Sequence, residues 1–327
     1  MLSFTATATA CPNIAFIKYW GNRNATLRLP SNGSISMNLD GLYTRTRVKY
    51  NADLKEDALT INGSPVNHSG LVRVQRFMDE VRRLAGVTMC AQIDSENNFP
   101  IGAGIASSSA AFAALSLAAT HAAGLDLLEQ GLSRLARRGS GSACRSIPEG
   151  FVEWQAGTSD KDSYAYSIAS PEYWPVADVI AIVSSDHKEV GSSEGHSLAG
   201  TSPLQPARVA GTQQRLDFCR QAIQQRDFSA LARIVELDSN LLHAVMITSQ
   251  PALFYWAPAS LTVMRAVIAM RKGGLPVCYT LDAGPNVHVL CLTEWMTKVV
   301  EAVKQIPGVQ QVITARAGGG AHLVAGD

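Results

Sequence analysis

The sequence predicts an α+β protein of two domains. Three observations carry this: a β-rich opening with strict alternation at residues 43–50, four helical stripes between residues 206 and 306, and no regular strand–helix alternation of the parallel α/β kind.

Taken in order, residues 3–9 (SFTATAT) alternate, and residues 13–20 (NIAFIKYW) form a second extended run carrying one lysine. Residues 21–24 read as a turn. Residues 43–50 (YTRTRVKY) give a half-buried strand, and Asn62-Gly63 within residues 59–66 is a strong hairpin signal. Leu71, Val74, Phe77, Met78, Val81 and Leu84 fall at helical spacing, with Gly86 as the stop. A strand over 87–93 precedes a helix of small residues over 107–123, then a short helix over 127–138 and a strand over 150–154.

The proline-containing stretch at 171–175 precedes an apolar strand over 176–184, which sets expected domains at 1–180 and 181–327. Beyond it, helices are expected at 206–225, 228–247, 259–273 and 295–306, with strands at 277–281, 287–292 and 312–315.

Hydrophobic residues make up 46% and charged residues 17%, which excludes a disordered chain. With 28 Lys and Arg against 27 Asp and Glu, no general electrostatic attraction to nucleic acid or a membrane surface is expected. Six dispersed cysteines without a CxxC pair indicate neither zinc nor redox chemistry. No basic-then-apolar leader and no membrane-length apolar run are found, so a cytoplasmic protein is expected.

The stretch NNFPIGAGIASSS at 97–109 packs glycines and hydroxyls before a helix, where backbone N–H groups and the helix dipole can hold an anion. It lacks the Gly-Lys-Ser/Thr ending of a Walker A loop and the third glycine of a dinucleotide fingerprint. Taken alone, it is either a phosphate cradle or a tight turn.

Four ordered segments resolve the choice: Asn13 through Lys18-Tyr19-Trp20-Gly21, Asn98 through Ser107-Ser108, Arg138-Gly-Ser140-Gly141-Ser142-Ala-Cys-Arg145, and Asp282-Ala-Gly-Pro-Asn286. Together they resemble the GHMP kinase superfamily, and within it the mevalonate diphosphate decarboxylases. The resemblance implies a two-domain GHMP kinase fold of mixed sheets packed with helices, the catalytic aspartate lying in the C-terminal domain. It also implies ATP and Mg²⁺ as cofactors, a phosphorylated mevalonate as the small-molecule substrate, and a homodimer.

By the same resemblance, Asp282 orients or deprotonates the tertiary alcohol, Lys18 offsets charge on the transferred phosphoryl group, and Arg145 holds the substrate carboxylate. Asn13, Ala15, Tyr19, Asn22, Ser140, Gly141, Ser142 and His196 would line the substrate pocket. Asn97, Asn98, Phe99, Gly102, Gly104, Ser107 and Ser108 would meet the nucleotide, with Ser107 or Ser108 near Mg²⁺.

Two departures concern the phosphate end. Diphosphate-using members read Gly-Lys-Arg-Asp after Tyr-Trp, where this chain has Gly21-Asn22-Arg23-Asn24. They carry methionine at His196 and sometimes arginine at Ser193. Fewer cations suit one phosphate better than two, so the expectation is the phosphomevalonate branch, taking mevalonate 5-phosphate to isopentenyl phosphate. The alternatives are conversion of the diphosphate to isopentenyl diphosphate, a 3-kinase that stops before decarboxylation, and a non-catalytic nucleotide-binding regulator.

Overall fold

The computed structural model describes residues 4–67, 69–99, 107–185 and 190–325. Gly102 and Gly104, expected at the nucleotide, lie outside the described residues. The first half runs β1 (Thr5–Ala10), β2 (Asn13–Ile17), β3 (Asn22–Asn24), β4 (Leu29–Pro30), β5 (Ser34–Asp40), β6 (Thr44–Asn51), β7 (Ala58–Ile61) and β8 (Ser64–Pro65). Helix α1 (Ser69–Ala85), β9 (Cys90–Asn97), α2 (Ser107–Ala122), α3 (Glu129–Gly139), β10 (Phe151–Trp154), β11 (Ala165–Ala169) and β12 (Val176–Ile182) follow. The second half is α4 (Ser192–Leu198), α5 (Gln205–Ala210), α6 (Thr212–Gln225), α7 (Phe228–Ile247), α8 (Pro258–Lys272), β13 (Val277–Thr280), β14 (Val287–Leu292), α9 (Met296–Lys304), β15 (Gln311–Ala317) and β16 (His322–Leu323).

Among the described residues, one sheet has the order β16-β1-β6-β9-β7-β8. The strict alternation of β6 places Thr44, Thr46, Val48 and Tyr50 inward and the cations Arg45, Arg47 and Lys49 outward. Helices α1, α2 and α3 cover the inner face, burying Val74, Phe77, Met78 and Val81 of α1. The alanines of α2 let its backbone lie close: Ala113, Ala114, Ala118, Ala119 and Ala122 are all fully buried.

A second sheet runs β11-β10-β5-β15-β12-β14-β13, with β2 also paired to β5. It joins both halves, since β15 pairs with β5, and β12 has β14 and β15 as its two neighbours. The expected division at residue 180 therefore falls inside a strand whose partners come from the second half. Helices α6 and α7 pack in one core beside this sheet, and α8 and α9 in another.

The structure departs from the sequence reading in local ways. Residues 21–24 begin the hairpin β3–β4 instead of forming a bare turn. The helix expected over 206–225 breaks at Gly211 into α5 and α6. Strand β5 (SISMNLD) is buried up to its final residue, although serine and asparagine interrupt its apolar signal. Among the described residues, no helix is long and apolar enough to cross a membrane.

Candidate active site

Lys18 leaves the end of β2 with its side chain only 1% exposed. Its peptide is held from both sides: the N–H donates to Asp238 Oδ2 at 2.6 Å, and the carbonyl accepts from Arg208 Nη2 at 2.6 Å and Asn32 Nδ2 at 2.8 Å. Its ammonium donates to Asp282 Oδ1 at 2.6 Å.

Asp282 stands in the turn after β13, where Gly284 N–H closes back on its carbonyl at 2.8 Å. Burial pushes the Lys18 ammonium below its usual range, against the pull of Asp282. Burial pushes the Asp282 carboxyl up, but the charge and hydrogen bond of Lys18 outweigh it and hold the carboxyl low. With 26% of its side chain exposed, Asp282 presents an ionised carboxylate at the site.

Arg145 sits in the short 3₁₀ turn Gly141–Ser146 after α3 and is 3% exposed. Its Nε donates to Ser36 Oγ at 3.0 Å, Nη1 to Ser34 Oγ at 2.6 Å and Nη2 to Asn13 Oδ1 at 3.1 Å. Asn13 is fixed in turn by donating to Ser146 Oγ at 2.8 Å and the Ser142 carbonyl at 3.2 Å. These acceptors are all neutral, and among the described residues no carboxylate pairs with Arg145. A guanidinium has five N–H donors, so one remains on each terminal nitrogen. Burial pushes this guanidinium down, as expected for a charge that lacks its counter-ion.

At the other end, the Tyr19 hydroxyl donates to Asn22 Oδ1 at 2.5 Å. Its ring stacks on His196 with centroids 4.1 Å apart and meets Trp154 edge-on at 4.7 Å. A Cβ on Gly141 would come within 2.5 Å of the Tyr19 ring, so glycine lets the serine-rich turn approach. His196 lies in α4, with Trp20 on its other side at 4.5 Å, and its Nδ1 accepts the Gly21 N–H at 3.0 Å. That assigns its proton to Nε2. Burial, reinforced by the charge of Arg28, pushes its pKa down to about 3. The histidine is therefore a neutral donor, held in a short helix.

Ser140 follows α3, and its hydroxyl lies 3.1 Å from that of Ser108 at the start of α2. Ser107, Ser108 and Asn97 line an apolar cavity of about 210 Å³ with Leu59, Val66 and Phe112. Asn97 Oδ1 accepts from Thr44 Oγ1 at 2.5 Å. Asn98, expected at the nucleotide, instead braces a turn, accepting from Tyr43 N–H at 2.8 Å and donating to the Gly41 carbonyl at 2.8 Å. Phe99 is likewise spent in the core.

Residues 10–165 match the diphosphomevalonate decarboxylase-like N-terminal domain, and residues 178–321 match the mevalonate 5-diphosphate decarboxylase C-terminal domain. The chain belongs to the diphosphomevalonate decarboxylase family. A diphosphomevalonate decarboxylase of Aspergillus fumigatus is 38% identical over 327 residues, spanning 93% of this chain and 81% of that protein. A structure described as MDDEF in complex with MVAPP, AMPPCP and magnesium is 36% identical with a TM-score of 0.93, covering 98% of both chains. The Staphylococcus aureus mevalonate diphosphate decarboxylase structure also has 36% identity, a TM-score of 0.93 and 98% coverage of both chains. The fungal and staphylococcal proteins both carry the diphosphate in their names.

Within this family frame, the structure brings together Asn13, Lys18, Arg145 and Asp282 at one end and Tyr19, Asn22, Gly141 and His196 at the other. The residues that hold them were missed in the sequence. Ser34 and Ser36 lie on the overlooked strand β5, and Asp238, Arg208 and Arg215 lie within helical stretches with no local motif to mark them. Two further cations, Arg28 and Arg73, also went unnoticed; they donate to the carbonyls of Arg138 and Gly139.

Proposed function

We propose that this decarboxylase-family chain uses ATP and Mg²⁺ to phosphorylate the tertiary hydroxyl of a 5-phosphorylated mevalonate, then expels phosphate and carbon dioxide to leave an isopentenyl unit. The observation that carries the reading is the Lys18–Asp282 pair at 2.6 Å, within the field of a buried Arg145 that has no carboxylate partner among the described residues.

Asp282, kept ionised by Lys18, accepts the substrate hydroxyl and aims its oxygen at the incoming phosphoryl group. A loose phosphoryl-transfer transition state asks little of a base, so a carboxyl with a depressed pKa serves for orientation and takes the proton late. Lys18 offsets the charge that develops on the transferred oxygens. The free N–H on each terminal nitrogen of Arg145 matches the two oxygens of the substrate carboxylate. Ser107 and Ser108 fit the nucleotide phosphates and Mg²⁺, which supplies charge neutralisation when bound. Ser108 is already engaged by Ser140, so Ser107 is the better placed of the two. The apolar cavity beside them suits the nucleoside.

The names of the relatives support mevalonate 5-diphosphate as the substrate. A specific observation supports the monophosphate: Asn22 is neutral and bound to Tyr19, and His196 is a neutral donor. Neither supplies the charge-assisted contacts that a second phosphate calls for. Release of phosphate and carbon dioxide, measured with each substrate, tests both levels. Higher kcat/KM on the diphosphate would select the relatives' substrate, and higher kcat/KM on the monophosphate the other; failure to turn over either would overturn the decarboxylase reading.

A further inference from the structure

Asn22 stands opposite Pro30 in the β3–β4 hairpin, and Arg28 lies at the turn of that hairpin. Arg28 adopts a left-handed backbone (φ 48°), uncommon for a residue with a side chain. The hairpin is sewn to the end of α3 in both directions: Arg28 Nε donates to the Arg138 carbonyl at 3.1 Å, and Arg137 Nε donates to the Leu27 carbonyl at 3.1 Å. Arg73, from α1, donates through Nε and Nη2 to the next carbonyl, Gly139, at 3.1 and 2.8 Å.

Two guanidiniums thus grip consecutive carbonyls immediately before Ser140-Gly141-Ser142. Arg134, Arg137 and Arg138 on the same helix all have carboxylate partners in Asp160 or Glu80. Among the described residues, neither Arg28 nor Arg73 has one. Burial depresses the Arg73 guanidinium to about 10, and the neighbouring charge of Arg28 adds to the shift. After burial, the charge of Arg28 is the largest influence on both the Tyr19 hydroxyl and the His196 ring. A partly exposed cation without a carboxylate partner, beside a hydroxyl-rich turn, has the chemistry to hold an anion.

We propose that Arg28 binds the 5-phosphate of the substrate, taking over from the opposite side of the hairpin the role of the cation missing at Asn22. This rests on the reading of the site as a phosphorylated-mevalonate pocket. Arg28 makes the hairpin turn part of the specificity machinery.

Steady-state kinetics and calorimetry on the full chain test the assignment. Arg28→Ala is expected to raise KM for the phosphorylated substrate roughly 10- to 100-fold, the loss typical of a charge-assisted hydrogen bond. The KM for ATP and kcat should stay near wild type, Arg28→Lys should recover part of the loss, and Asn22→Lys in the Arg28→Ala background should restore binding. An unchanged substrate KM, or a rise confined to the KM for ATP, would overturn the assignment. So would Arg28→Lys melting as early as Arg28→Ala, which would mean a purely structural hairpin tie. If the wild type turned over neither substrate, binding of inorganic phosphate to wild type and Arg28→Ala would still decide: weaker binding in the variant supports the site, and equal binding overturns it.

Discussion

The peptide N–H of Lys18 donates to Oδ2 of Asp238, 220 residues further along the chain, at 2.6 Å. Strand β2 and helix α7 are thereby fastened at the atom pair from which the lysine side chain springs. Asp238 is fully buried, takes Arg215 Nε at 2.6 Å and lies 3.9 Å from Arg208 Nη2. One carboxylate is therefore shared by two buried guanidiniums and fixes the backbone of the proposed catalytic lysine.

Asp238→Asn should keep the shape and strand both arginines without a counter-charge. Breaking one side of a buried ionic group typically costs about 3–5 kcal/mol, so the urea midpoint should fall sharply. In the variant that still folds, kcat should drop more than substrate affinity, because the register of Lys18 loosens. A urea midpoint equal to wild type would refute the clamp.

The Lys18–Asp282 pair is asymmetric, with side chains 1% and 26% exposed. Asp282→Ala removes the larger of the two carboxylate influences that oppose the burial shift of Lys18, leaving Asp238, so the ammonium pKa should fall further. Lys18→Met leaves a carboxylate that water reaches. Asp282→Ala should therefore be the less stable variant, by about 1–3 kcal/mol, while both lose about 10²- to 10⁴-fold in kcat. Equal denaturation midpoints would contradict the asymmetry, and Asp282→Asn with intact turnover would refute the assigned chemistry.

Arg145→Lys preserves charge but cannot reproduce three hydrogen bonds to Ser34, Ser36 and Asn13 while offering two more. Decarboxylation should suffer more than phosphoryl transfer. The expected signature is ADP formation that outruns carbon dioxide release; equal inhibition of the two would argue against carboxylate orientation by this residue.

What was legible in the sequence was chemistry carried by local order. The runs around Lys18, Arg145 and Asp282 announce themselves because glycine, hydroxyl and cation occur in one short window each. The support was not legible. Ser34 and Ser36 sit on a strand whose SISMNLD pattern looks polar because its hydroxyls are used inward, on a buried guanidinium. Asp238 looks like any acidic residue on a helix until tertiary pairing brings Lys18 to it. Asn98 illustrates the converse: next to the glycine-rich loop it reads as a ligand contact, yet both ends of its amide close a turn.

His196 provides a prediction in which sign matters. Its pKa is pushed down to about 3, first by burial and then by the charges of Arg28, Arg208 and Arg145. In the unfolded chain the same ring titrates near ~6.5. Below that value the unfolded state binds a proton that the native state refuses, so stability is intact above about pH 6.5 and is lost as pH falls toward 3, by about 1.4 kcal/mol per pH unit for each such histidine. His243, also pushed down to about 3 by burial, adds a second contribution of the same sign. His196→Gln should flatten the acid limb of the stability–pH curve by roughly half. Substrate binding should behave differently: a donor already neutral at pH 8 is still neutral at pH 5. The phosphate's own second ionisation, near ~6, should then give wild type and His196→Gln the same shape of KM against pH. An inflection present only in wild type would mean that the imidazolium binds the phosphate, and would overturn the tautomer assigned from the Gly21 hydrogen bond.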